Sequence, residues 1–371
     1  MTQSPSRPDL PRLSMVRELT DRTVLDCVYA AGRVTRVDVA RLTGISKPTI
    51  SESVRRLSEA GLLVETGSVP GRPGRVATIY ELAPTAGRVL ALHAGQEGVR
   101  ARCVDLSGRT LWSRVYTPTP AATMTGVVDA LRTAATDAMS WPGPVRSIAM
   151  SVANPVDPLT REIVALPHSP FPEGLVDVQR IFGDLTDVGV LLDNDVNLAA
   201  LAERGSRSDP QASFAYLYAG AGLGMACSIG GDIVRGANGL AGEIGYLPDA
   251  GRYGPTLADR FDHLGLMRPG TATIDVDLTL ARLRTSARVR TVIGDGLASA
   301  VAATCAVVNP AAVVLAGPIG SEPAVVDRVR SRIAELTPLP VSVGTTVLGD
   351  AGPLLGAVQL GLGHARDGLV G

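Results

Sequence analysis

One group of residues in this 371-residue chain has the types and spacing to do chemistry. It lies near the N-terminus: Ser46, Lys47, Pro48, Thr49, Ser51, Glu52, Arg55 and Arg56, with Arg36 upstream and Arg72, Pro73 and Arg75 downstream. Short hydroxyls can donate to phosphates or base edges, and arginines can clamp a phosphate backbone.

The elements that must hold this group are legible. Val16, Leu19, Val24, Leu25 and Val28 recur at helical spacing from Ser14 to Ala31, and Gly32 ends the segment. Thr35 and Asp38 make a capping box for a helix through Leu42 that Gly44 terminates. Ser46 caps a third helix to about Ala60, with Pro48 in its first turn, where a missing N–H costs nothing. Ile45, Ile50, Val54 and Leu57 form its core-facing stripe, which turns Lys47, Thr49, Ser51, Glu52, Arg55 and Arg56 outward. A short helix, a Gly-containing turn and a capped second helix make a helix-turn-helix, which sets the latter's first turns at a DNA major groove. Leu62–Glu65 and Val76–Leu82 then flank a hairpin tip where Arg72 and Arg75 surround Pro73, a shape that fits a narrow minor groove. The expected organisation is a disordered tail over 1–12, a winged helix-turn-helix over 13–83, a linker over 84–88 and a large domain over 89–371.

Composition fits that division. Residues 1–82 carry 12 Lys+Arg against 9 Asp+Glu, about +3, whereas the remainder carries 23 against 27, about −4. The basic excess falls on the part expected to meet phosphate. The longest apolar run, Leu297 to Val308, is too short to span a bilayer and reads as a buried helix, and no secretory signal is evident. A cytoplasmic protein without membrane contact is expected. Cys27, Cys103, Cys227 and Cys305, and His93, His168, His263 and His364, lack disulfide-framework or metal-ligand spacing. No metal and no cofactor is expected.

From residue 89 onward, strand-like runs alternate with helical runs, which implies an α/β fold. The strand–turn–strand pattern at 89–106 recurs at 214–235, pointing to two related lobes. Helices are expected near 127–138, 196–204, 297–308 and 325–336, with a last one in DAGPLLGAVQLGLG.

Several motifs in order then resemble one family. VTRVDVARLTGISKPTISESVRRLSEAGLLVETG followed by GRPGR is similar to the N-terminal module of ROK-family repressors, a family that also contains sugar kinases. LLDNDVNLAALAE, YAGAGLGMACSIGGDIVRGANGLAGEIGY, VNPAAVVLAGPIG and DAGPLLGAVQ resemble its site, glycine-turn, base-closing and final-helix segments. The resemblance implies an actin-like ATPase (ribonuclease H-like) fold of two lobes. In kinase members a general-base Asp matches Asp195, a sugar-contacting Asn matches Asn194, and a sugar-binding Glu matches Glu243. The chain departs from the pattern at the first phosphate turn, where His93 replaces an Asp and Gln96 and Glu97 replace Gly and Thr. Ala221 replaces a hydroxyl in the second turn, so its glycines either still admit a ligand or persist only as a strand turn. Tyr246 replaces a zinc-binding His, the family's cysteine cluster is missing, and Asp259 is a candidate stand-in for a further sugar-binding Glu. The expectation is a transcriptional regulator, a repressor acting as dimer or tetramer on double-stranded DNA, with a sugar-like effector at Asn194, Asp195, Glu243 and Tyr246. The alternatives are a bifunctional regulator that keeps kinase activity, and one that no longer senses a small molecule.

Overall fold

A computed structural model describes residues 13–70, 76–95, 98–119, 123–167, 169, 171–249, 253–338 and 340–369. The expected tail, the wing-tip residues Arg72, Pro73 and Arg75, and Gln96 and Glu97 lie outside these.

Local capping sets the N-terminal module. Helix α1 (Leu13–Ala31) stops at Gly32, whose φ of 71° is cheap only for glycine. After the short β1 (Val34–Thr35), α2 (Arg36–Thr43) opens on a reciprocal box: Thr35 Oγ1 accepts the Asp38 N–H, and the Asp38 carboxylate accepts the Thr35 N–H. Helix α3 (Lys47–Glu59) is capped by Ser46 and buries Ile50, Val54 and Leu57. Strands β2 (Leu63–Pro70) and β3 (Val76–Leu82) pair antiparallel, with β1 on the other edge of β3.

The rest is two lobes built alike. In the first, β4 (Arg88–Gly95), β5 (Gly98–Asp105) and β6 (Thr110–Tyr116) form a meander. Helix α4 (Met124–Met139), β7 (Val145–Val152), α5 (Val178–Gly183) and β8 (Val190–Asn194) follow, giving the order β6-β5-β4-β7-β8. Helix α6 (Asp195–Ser206) leads into the second lobe, whose meander is β9 (Phe214–Ala219), β10 (Leu223–Ile229) and β11 (Asp232–Ile233). Then come α7 (Asp259–His263), α8 (Val276–Thr285), α9 (Ala287–Val307), β12 (Ala312–Ala316), α10 (Gly317–Gly320), α11 (Pro323–Leu336), β13 (Ser342–Thr345) and α12 (Gly352–Asp367). The second sheet runs β11-β10-β9-β12-β13, the same third-second-first-fourth-fifth order, with β4·β7·β8 and β9·β12·β13 parallel. This is the two-lobed actin-like ATPase (ribonuclease H-like) fold.

Two helices join the lobes. Helix α6 packs on the second sheet, where Val196, Ala199 and Ala200 cluster with Phe214, Tyr216 and Ala226. Helix α12 packs on the first, where Leu354, Ala357 and Val358 cluster with Val89, Ala91 and Ala149. They cross so closely that a Cβ at Gly356 would fall within the carbonyl of Leu198. The same apolar cluster continues into Val24, Leu25, Val28, Ile50 and Leu57 of the N-terminal module. The Arg366 guanidinium lies 4.1 Å from the Tyr29 ring centroid and donates to Leu106 O, and Arg22 pairs with Asp367. The N-terminal module thus shares a core with the first lobe. Arg88, expected as the last residue of the linker, opens β4 and is buried, donating to the carbonyls of Ala138, Pro142 and Gly143.

Candidate functional site

The recognition surface is the outer face of α3. Lys47, Pro48, Thr49, Glu52 and Arg55 are exposed there and Ser51 is half-buried. Ser46 Oγ accepts the Thr49 N–H and lies 2.7 Å from Thr49 Oγ1, so cap and first-turn hydroxyls are oriented together. Arg36 extends over the Tyr80 ring, 5.1 Å from its centroid. Arg56 is placed differently from the expectation: its guanidinium forks onto Asp21 at 2.6 and 3.1 Å. Ser53 donates to that same carboxylate. At the edge of the core stripe, Arg56 reaches α1 and fixes the recognition helix instead of standing free on the outer face. Asp21 was missed because nothing in the local pattern of α1 marks it as a partner of residues over thirty positions away.

The second site lies where β8 gives way to α6. Asn194 is the N-cap, its Oδ1 accepting the Val196 and Asn197 N–H groups while its Nδ2 donates to Asn154 O. Its side chain is therefore largely engaged in capping. Asp195 follows, with one carboxylate oxygen accepting the Val196 N–H. Burial pushes its pKa up to about 7. Glu243 sits at about 7 as well, through burial first and then the Asp195 charge. The two half-buried carboxylates, one from each lobe's connection, thus lie near enough to feel each other's charge, and none of the described residues hydrogen-bonds to the Glu243 carboxylate. Tyr246, at the end of the turn carrying Glu243, is 42% exposed.

A neighbouring ion pair was not foreseen. Buried Asp193 receives Arg235 at 2.6 and 2.9 Å, and also binds the Asn194 N–H and Asn197 Nδ2. It ties the loop leading to Glu243 onto the strand end that presents Asp195. The acidic run LLDND was the only available signal. His93, at the head of β4, is buried with Nδ1 3.1 Å from Ser151 Oγ, and burial lowers its pKa to about 3. It is a neutral imidazole. At the second glycine turn, Cβ atoms at 220 and 224 would collide with Tyr218 and Val196, so these glycines serve the packing of the lobe itself.

Around Tyr246, no three His, Cys, Asp or Glu side chains among the described residues come together in a way that could hold a metal. The loop is held by a bidentate pair, Arg260 to Asp249 at 2.7 Å on both arms, with Arg260 also donating to Val292 O. Asp259 is not a free site carboxylate, because it accepts the Thr256 N–H and hydroxyl.

Fold and site together define a winged helix-turn-helix protein with a two-lobed sugar-kinase-like domain. Residues 89–255 match the ROK family and residues 17–64 a winged helix-turn-helix DNA-binding module. Residues 89–255 are thus a ROK-like domain behind a winged helix-turn-helix. The xylose repressor of Bacillus subtilis is 21% identical over 244 residues, 64% of this chain and 62% of the repressor. A crystal structure of a ROK family transcriptional regulator, a homolog of the Escherichia coli MLC protein, superposes at a TM-score of 0.68 with 18% identity, covering 96% of this chain and 98% of that one. A ROK family glucokinase from Streptomyces griseus, solved with glucose and AMPPNP, gives 0.55 with 21% identity over 74% of this chain and 99% of its own. The matched stretch spans 59–62% of the first curated relatives. Among the described residues, no helix is long and apolar enough to cross a membrane.

Proposed function

We propose that this chain is a sequence-specific DNA-binding transcriptional regulator, a repressor that binds an inverted repeat as a homo-oligomer and senses a sugar-like effector in the cleft. The observation that carries this is α3: capped by Ser46, locked to α1 through Asp21, and presenting Lys47, Thr49, Glu52 and Arg55 outward. Relatives named as repressors support the reading. The neighbouring carboxylates Asp195 and Glu243 support a polyol ligand, since each charge-assisted hydrogen bond to a hydroxyl contributes about 1.5–3 kcal/mol. Enrichment of bound duplexes from a randomised library tests the proposal, which predicts half-sites about 10 bp apart or a multiple of that. Within that assay, Arg72→Ala is expected to cost on the order of 1–3 kcal/mol and flatten an A·T preference outside the major-groove positions. Unchanged affinity and base preference would make GRPGR only a solvated turn.

The same cleft supports sensing in preference to phosphoryl transfer. A neutral, buried His93 stands where the ROK kinases resembled by the sequence organise phosphate with a carboxylate, and Glu97 adds negative charge to that turn. Incubation of the full chain with ATP and xylose, glucose or an N-acetylhexosamine is expected to give no sugar phosphate. Product that disappears in Asp195→Asn would establish a kinase instead.

A further inference from the structure

Along the outermost line of α3, Glu52 is a carboxylate placed where DNA would sit. Helical spacing puts Pro48, Glu52, Arg55 and Glu59 opposite the buried Ile50, Ser53, Val54 and Leu57. A bare carboxylate facing a duplex is repelled by phosphates, so it needs both a neutralising neighbour and a reason to be there. The neighbour is Arg55, which forks onto it with Nε to Oε2 at 3.1 Å and Nη2 to Oε1 at 2.6 Å, while Arg56 Nη1 lies 3.7 Å away. These contacts fix the carboxylate's direction and hold it ionised. Both side chains remain about half exposed, and two arginine hydrogen bonds leave acceptor sites unused on both oxygens.

An ionised carboxylate can only accept. In the major groove, guanine presents two acceptors and thymine one acceptor plus a methyl, so both repel it. Adenine couples its N6 donor to an N7 acceptor that would face the second oxygen. Cytosine offers the N4 donor and carries a C–H, with no acceptor of its own, where adenine has N7. We propose that Glu52 is the residue of the recognition helix that selects a cytosine in each half-site, with Arg55 as the arm that orients it. This rests on the DNA-binding reading above.

Duplex enrichment with the full chain tests the assignment against Glu52→Ala, Glu52→Gln and Glu59→Gln. Glu59 also binds Arg55, at 2.6 Å, but from the last turn of the helix. The wild type is expected to return one strongly preferred cytosine per half-site. Glu52→Ala should lower that preference about tenfold or more while other positions persist, and Glu52→Gln should move it toward adenine, which a carboxamide can bind bidentately. Glu59→Gln should return the wild-type motif. A wild-type motif unaltered by either Glu52 variant overturns the proposal and leaves only an exposed intrahelical ion pair. The same base lost in Glu52→Ala and Glu59→Gln also overturns it, because Arg55 would then be the reader. If the wild type enriches nothing, the DNA-binding reading itself fails, a distinct result.

Discussion

Gly356→Ala is expected to destabilise the chain by about 3 kcal/mol and to lower the melting transition of both lobes together. The new Cβ would occupy the space of the Leu198 carbonyl, so α6 and α12 would have to move apart. Overpacking that displaces backbone sits at the upper end of the usual range. Position 363 on the same helix is the control. A Cβ there meets nothing within 4 Å, so Gly363→Ala should be neutral or stabilise by up to about 1 kcal/mol through helix propensity. Thermal unfolding of the two variants by circular dichroism checks the contrast. The damage at 356 should also reach α1, since α12 ends in Arg366 and Asp367, which hold Tyr29 and Arg22. Hydrogen exchange of α1 and α3 amides should rise in Gly356→Ala and stay unchanged in Gly363→Ala. Similar melting temperatures for the two would mean that the crossing of α6 and α12 relaxes at little cost.

Asp195→Asn is expected to stabilise the protein while removing its response to effector. Burial raises the folded-state pKa of Asp195 to about 7, against an ordinary value of 3.8. A carboxyl with a raised pKa holds its proton in the folded chain after the unfolded chain has released it. Between about pH 4 and 7 the folded state binds more protons, so stability falls as pH rises through that window. The asparagine variant has no such loss, and its gain should be near zero at pH 4 and on the order of 1–3 kcal/mol at pH 8. Denaturant titrations at the two pH values measure this. With xylose as the first probe, release from operator DNA should be lost while affinity for DNA without sugar is retained. A variant that is less stable at pH 8, or one that still responds to the sugar, would remove Asp195 from the site.

The parts of the fold that could be read ahead were those written in local chemistry. Gly32, Gly44 and Gly61, the Thr35–Asp38 box and the Ser46 cap each decide a boundary within a few residues, and the structure places the helices accordingly. The repeated strand–turn–strand pattern announced two lobes because both meanders bury both faces of their first strands. What stayed hidden was non-local or weakly patterned. Edge strand β6 fully buries only Trp112 and leaves Val115 exposed, so its alternation is faint, and α9 begins ten residues before its apolar run because its first turns carry Arg288 and Arg290. At the site, Asp195 and Glu243 were named from the sequence, yet their meeting depends on Asp193 and Arg235, 42 positions apart. Arg56, read as available on an outer helix face, and Asp259, offered only as a stand-in for a family Glu, are each spent on a neighbour, Asp21 and Thr256.

Lys47 is the only lysine in the chain and stands at the first position of α3, so one substitution changes the charge at the tip of the recognition helix and no other lysine. A genome-wide map of DNA bound by the wild-type chain, set beside one for Lys47→Glu, tests the central claim most directly. The account predicts a small set of discrete sites that share an inverted repeat for the wild type, and their loss in Lys47→Glu at equal protein abundance. Occupancy without discrete sites, or an identical map for the variant, would contradict a sequence-specific regulator that reads DNA through α3.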